Sequence, residues 1–315
     1  MMPRLSQIVM LTCLSLLLTL PSIAQESTSE PTPSPTPIPL TRPAVIAEAD
    51  NTGLTLQRLF PSLLQGQVGL LRLTGDNIQE GRVLFRNREY PFYQGNDGWY
   101  AMVVADIDAQ PRDYPLSVLI KQVDGTNISF ADLITVESSG YIRQLFDVPA
   151  SLGYLIDPAV ERNEYARIDT LVTNPSQEFY WTDNVWSLPI DTGYSSSFGQ
   201  YRILNQAVQT RHTGWDQSAP VGTPISTMMD GVITFAGDLD IRGQYILIDH
   251  GWGVYSGYAH LSQMTVEVGD SVEQGQLIGM SGNSGRSNGP HLHWEILVNG
   301  EWVDGVLFLE TWLPS

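Results

Sequence analysis

With 315 residues, the chain is long enough for about two domains, and 42% hydrophobic against 16% charged residues suits folded domains rather than a disordered chain. A net charge of −18 repels phosphate backbones and anionic lipid, which argues against nucleic acid or a membrane surface as partners. One cysteine, Cys13, leaves no disulfide framework or thiolate-held zinc, and one lysine, Lys121, leaves no lysine chemistry in the C-terminal half.

Residues 1–24 read as a secretory signal peptide. Arg4 gives the positive start, Ile8 to Leu20 the apolar run, and Ser22-Ile23-Ala24 the small residues before a cut at Gln25. The run is too short to span a bilayer. In residues 25–45 proline alternates with serine and threonine, the composition of an extended spacer.

Residues 46–138 carry short apolar segments at Val68–Leu73, Arg82–Arg86, Trp99–Ala105, Leu116–Lys121 and Ala131–Val136. Turn signals such as Gly95-Asn96-Asp97-Gly98 and Asp124-Gly125-Thr126 separate them. The pattern predicts an immunoglobulin-like β-sandwich, without histidine and acting as a spacer or positioning domain. Residues 139–183 form a linker. Within it Val160, Tyr165, Ile168 and Leu171 recur near helical spacing, which predicts a short helix over 157–173.

Residues 184–315 are again strand-rich and contain many glycines. An internal echo is visible: Val221-Gly222-Thr223-Pro224-Ile225 precedes Gly231-Val232-Ile233, and Val268-Gly269-Asp270-Ser271-Val272 precedes Gly275-Gln276-Leu277-Ile278-Gly279. A small antiparallel β-fold of two similar halves is expected. The whole chain is therefore mainly β, with a short linking helix.

All five histidines fall in this last region: His212, His250, His260, His291 and His293. Histidine is the commonest metal ligand, so the clustering is a site hypothesis in itself. In a strand, His291 and His293 would share a face about 7 Å apart, one to bind a metal and the other to handle a proton. Taken alone, such a pair is more often solvated polar decoration. In His212-Thr213-Gly214-Trp215-Asp216 a histidine and a carboxylate four apart can face one point. Two histidines and a carboxylate, with an open fourth position, form a known catalytic zinc set. His250 sits at a hairpin-like turn and reads as structural. No H-E-x-x-H helix motif and no G-x-S-x-G elbow occur.

The spaced motifs H-T-G-W-D, G-T-P-I, Y-A-H-L-S, V-G-D-S-V-E-Q-G-Q-L-I-G and G-P-H-L-H-W-E resemble the lysostaphin/LytM-type zinc peptidases, over residues from about 195 to 315. The resemblance implies an antiparallel β-sheet metallopeptidase domain with a narrow groove, spanning 184–315. It implies one Zn2+ held by His212, Asp216 and His293. It further implies catalytic roles for His291 and His260, and transition-state stabilisation by Tyr201 in Phe198-Gly199-Gln200-Tyr201. The implied substrate is peptidoglycan, cut in its stem or cross-bridge peptides by a secreted or periplasmic, cell-envelope enzyme with no membrane contact after signal cleavage. The competing class is an inactive relative that binds the wall or activates amidases. Such relatives lose ligands or catalytic histidines, whereas all five matching positions are filled here.

Overall fold

A computed structural model of the chain describes residues 39–182 and 185–314. The expected signal segment and most of the spacer lie outside the described residues. The fold is mostly β, with one helix of 15 residues between two β regions.

The first region runs through β1 (Ala47–Asn51), β2 (Leu54–Arg58), β3 (Leu63–Leu64), β4 (Gln67–Thr74), β5 (Ile78–Phe85), β6 (Arg88–Pro91), β7 (Tyr93–Gly95), β8 (Gly98–Ala105), β9 (Arg112–Gln122) and β10 (Asn127–Glu137). They form two five-stranded sheets, ordered β1-β2-β4-β8-β7 and β3-β10-β9-β5-β6. The five apolar segments read from the sequence lie in β4, β5, β8, β9 and β10. The strands it missed are mainly short or edge pieces, with too few residues to show a period.

Burial alternates along β9, where Tyr114, Leu116, Val118 and Ile120 face inward, as expected of a sheet wet on one side. In β8 every residue from Tyr100 to Ala105 is buried. That continuous run follows from cover on both faces, because the C-terminal region packs against this sheet. The Trp252 ring stacks on Tyr93 at 5.5 Å, and Asn299 Nδ2 donates to the Met102 carbonyl at 3.0 Å. The core is continuous between the two regions.

After β11 (Arg143–Phe146) and a 3-10 turn at Ala150–Ile156 comes α1 (Pro158–Val172). Asp157 caps α1 by accepting from Ala159 N at 2.8 Å, and Pro158 occupies the first turn, where its missing N–H costs nothing. Ile168 and Val172 pack against Tyr245, Leu247 and Leu297. The helix lies where periodicity put it, but its buried face carries Glu164 rather than Val160.

The C-terminal region contains β12 (Tyr194–Ser196), β13 (Tyr201–Leu204), β14 (Val208–Arg211), β15 (Trp215–Ser218), β16 (Pro224–Ser226), β17 (Gly231–Leu239), β18 (Gly243–Gly251), β19 (Val254–Met264), β20 (Ser271–Val272), β21 (Leu277–Ser281), β22 (His291–Val298) and β23 (Glu301–Val303). The main sheet is ordered β12-β15-β22-β19-β18-β17-β20. The internal echo has a structural meaning. β16 pairs with β21 and β17 with β20, all antiparallel, so the halves exchange partners. Part of the expected linker also joins this region, since β11 pairs in parallel with β13.

Candidate metal centre

β15 and β22 run antiparallel, with Asp216 opposite His293 and Ser218 opposite His291. His212 follows β14 and is folded onto β22 by the turn at Gly214. A Cβ at Gly214 would lie 2.3 Å from the Trp294 carbonyl oxygen and 2.9 Å from His293 Nε2, so the turn requires glycine.

Three donor atoms converge. His212 Nε2 is 2.9 Å from Asp216 Oδ1 and 3.0 Å from His293 Nδ1, and His293 Nδ1 is 2.9 Å from the same oxygen. All three residues are buried. Their outer atoms fix their states. His212 Nδ1 faces the Ser197 carbonyl at 2.6 Å and must donate to it, so its Nε2 offers a lone pair inward. His293 Nε2 faces the Glu295 carboxylate at 3.4 Å and donates outward. Two ring nitrogens and a carboxylate thus point at one spot, which needs a positive charge to hold it together. A proton on His293 supplies one in the bare site, and a divalent ion with N/O ligands supplies a larger one. The residues fit a metal.

The charges agree with this reading. Burial alone would raise the Asp216 carboxyl, but His212 and the Arg202 guanidinium outweigh it and hold it well below the ordinary carboxylate range. Burial, helped by the Arg202 charge, pushes His212 down to about 4. Arg202 Nη2 donates to Asp216 Oδ2 and, at 2.9 Å, to Ser196 Oγ. That leaves Oδ1 as the oxygen facing the histidines.

His260 and His291 stand beside the cluster with ring centroids 4.7 Å apart, and His291 Nε2 is 3.6 Å from Asp216 Oδ1. His260 Nδ1 donates to the Ser284 carbonyl at 2.7 Å, and His291 Nδ1 to the Gly289 carbonyl at 2.8 Å. Each therefore keeps Nε2 as an acceptor. Burial lowers both, His260 further because His291 and His293 add their charges. Both rings are neutral bases at neutral pH. His260 has a left-handed backbone, φ 60°, which costs a non-glycine residue about 1–2 kcal/mol. Its N–H donates to the Arg242 carbonyl at 2.8 Å, which holds the conformation.

Tyr201 is not brought to the cluster. Its ring lies under the Arg211 guanidinium at 3.9 Å, and alternation along β13 turns its neighbour Arg202 toward Asp216 instead. His250 is also elsewhere, buried between the Asp230 carbonyl and Ser256 Oγ, each 2.7 Å away. A cavity of about 40 Å3 adjoins the site, lined by Phe146, Arg202, His212, His260 and His293.

Sequence reasoning missed Arg202 and Glu295. Glu295 had a readable signal: it follows His293 by two in a strand and so shares its face. Arg202 had none beyond its place next to Tyr201.

Residues 210–305 match the sequence model of peptidase family M23. That segment belongs to peptidase family M23. A peptidoglycan DD-endopeptidase of Vibrio cholerae, ShyA, is 39% identical over 121 residues, covering 38% of this chain and 28% of that protein. The DD-carboxypeptidase/endopeptidase Mpg of Neisseria meningitidis is 46% identical over 116 residues, covering 36% of this chain and 26% of that one. The chain thus matches about a quarter of the length of these curated relatives. A solved Pseudomonas aeruginosa structure described as a peptidase M23 has a TM-score of 0.59 at 23% identity, and the match covers 80% of this chain and 96% of that one. That likeness extends the shared fold over both β regions. The M23 fold and the His-Asp-His cluster together fit a metal-dependent endopeptidase active site.

Proposed function

We propose that the protein is a zinc-dependent endopeptidase that hydrolyses peptide cross-links of peptidoglycan in the cell envelope. The observation that carries this reading is the convergence of His212 Nε2, Asp216 Oδ1 and His293 Nδ1 within 3.0 Å of one another, with two neutral histidines beside them. Zinc held by these three residues would polarise a carbonyl and make water a nucleophile at neutral pH. His291 and His260 each offer an unprotonated Nε2. The ring that takes the proton from the attacking water becomes an imidazolium and returns that same proton to the leaving amine, while the other accepts a hydrogen bond from the water or the amine N–H. Their backbone-carbonyl partners keep each ring in the tautomer this exchange requires. The transition-state role that the family resemblance implies for Tyr201 is not part of this reading, because its ring lies under Arg211 and Arg202 is the β13 residue that reaches a ligand.

Residues 46–138 are an immunoglobulin-like sandwich that positions the peptidase region, and residues 184–315 carry a substrate groove. The shared core and the seam at Trp252 support a fixed relation between the two. The signal-like pattern of residues 1–24 supports an envelope location, and among the described residues no helix is long and apolar enough to cross a membrane. The names of ShyA and Mpg favour D-alanyl cross-links over glycyl bridges. Digestion of purified walls of both types, with mass analysis of fragments, tests this. DD-linked dimers should fall to monomers, and a chelator should stop the reaction. Intact walls of both types after incubation with zinc-loaded protein would favour the inactive, wall-binding alternative.

A further inference from the structure

The metal cluster is backed by a chain of buried charges that leaves the family-matched segment and ends on α1. Glu295 is fully buried, and its carboxylate accepts from Arg242 Nε and Nη2, both at 2.7 Å. It also accepts from Tyr245 Oη at 2.7 Å, Thr213 Oγ1 at 2.9 Å, Trp302 Nε1 at 3.0 Å and His293 Nε2 at 3.4 Å. Arg242 is itself buried, and its remaining nitrogen, Nη1, donates to Glu164 Oε1 at 2.8 Å. Glu164 then accepts two backbone N–H groups, from Ile241 at 2.6 Å and Arg242 at 3.3 Å.

A carboxylate buried on the inner face of a helix is costly unless it is paired and hydrogen-bonded, and Glu164 is both. Its position is informative. The helix could have buried an apolar residue there, at no such cost. Instead Glu164 grips residues 241 and 242, and Arg242 reaches two site histidines by different routes. Its guanidinium orients Glu295, which sets the tautomer of the ligand His293. Its carbonyl accepts the N–H of His260, the residue held in the left-handed conformation.

We propose that Glu164 is a positioning residue for the metal centre, acting through Arg242 and Glu295 on His293, so that helix α1 is a working part of the peptidase site. The electrostatic reason is that Glu164 shares the Arg242 charge. With Arg242 divided between two carboxylates, Glu295 keeps more negative charge toward His293 and makes its inward nitrogen a better donor. The geometric reason is that Glu164 fixes the turn from which Arg242 projects. The inference rests on reading His212, Asp216 and His293 as metal ligands.

The test measures the zinc dissociation constant of the full chain by chelator competition, alongside urea unfolding of the metal-free protein. Glu295→Gln should weaken zinc binding about 10- to 100-fold, the usual range for a group that orients a ligand. Glu164→Gln, one step further away, should weaken it about 3- to 10-fold. The double variant should be no weaker than Glu295→Gln alone, within about twofold, because both act along one path. If Glu164→Gln binds zinc as the wild type does, α1 has no part in the centre and the proposal fails. It fails equally if the two effects multiply independently. Should Glu164→Gln not fold, Glu164→Asp replaces it, with the same criteria. A wild-type chain that binds no zinc would instead overturn the metal reading itself.

Discussion

Glu301 joins the two β regions at a buried point where its charge is a liability. Tyr90, on β6, donates to its Oε2 at 2.5 Å, and Arg88 Nε lies 3.1 Å from Oε1. The carboxylate is 2% exposed, whereas Arg88 is 54% exposed and so compensates it only in part. Burial raises the Glu301 carboxyl to about 7 from its ordinary 4.5, against the lowering effects of Tyr90 and Arg88. The folded protein therefore binds a proton that the unfolded chain releases. Stability from this group is fully present below about pH 4.5 and is lost as pH rises to about 7. At 1.36 kcal/mol per pKa unit the loss is about 3 kcal/mol. Glu301→Gln keeps an acceptor for Tyr90 and removes the titration. Urea unfolding of both proteins at pH 4.5 and pH 8 isolates the effect, because other titrating groups cancel in the comparison. The variant should gain about 3 kcal/mol relative to wild type between the two pH values. A difference between the proteins that does not change with pH would refute the reasoning.

His293→Ala should abolish zinc binding and wall hydrolysis together, while His291→Ala should abolish hydrolysis and leave zinc bound. Metal content of the purified variants checks this, and loss of metal from His291→Ala would overturn the division of roles. Trp252 packs between Tyr93 of the first region, at 5.5 Å, and Phe179 and Trp181 of the linking segment, at 5.1 and 5.6 Å. Trp252→Ala should cost about 3–5 kcal/mol, and the wild type should unfold in one transition followed by calorimetry. Two separate transitions in the wild type would contradict the shared core.

Local sequence determined what local geometry can determine. A strand period of two puts His291, His293 and Glu295 on one face. Asp157-Pro158 starts a helix wherever the following residues allow one. The alternation along β9 and β10 declares a sheet with one wet face. Those signals act over a few residues, so they are written in the residues themselves. The ligand set needed one step more, and the order of the spaced motifs supplied it.

Tertiary structure decided what depends on pairings between distant segments. Asp216 and His293 are 77 positions apart and meet only through the β15–β22 register. Arg202 reaches Asp216, and Tyr201 does not, because β13 presents that face of the hairpin to the cluster. Glu164 is buried because Arg242 lies beneath it and pairs with it. β8 reads as a continuous apolar run, and only the packing of Trp252 and Asn299 against its sheet explains why neither face is polar. In each case the deciding contact joins residues whose separation along the chain carries no periodic signal. The sequence specified which side chains were available and which face each occupied, and the fold chose their partners.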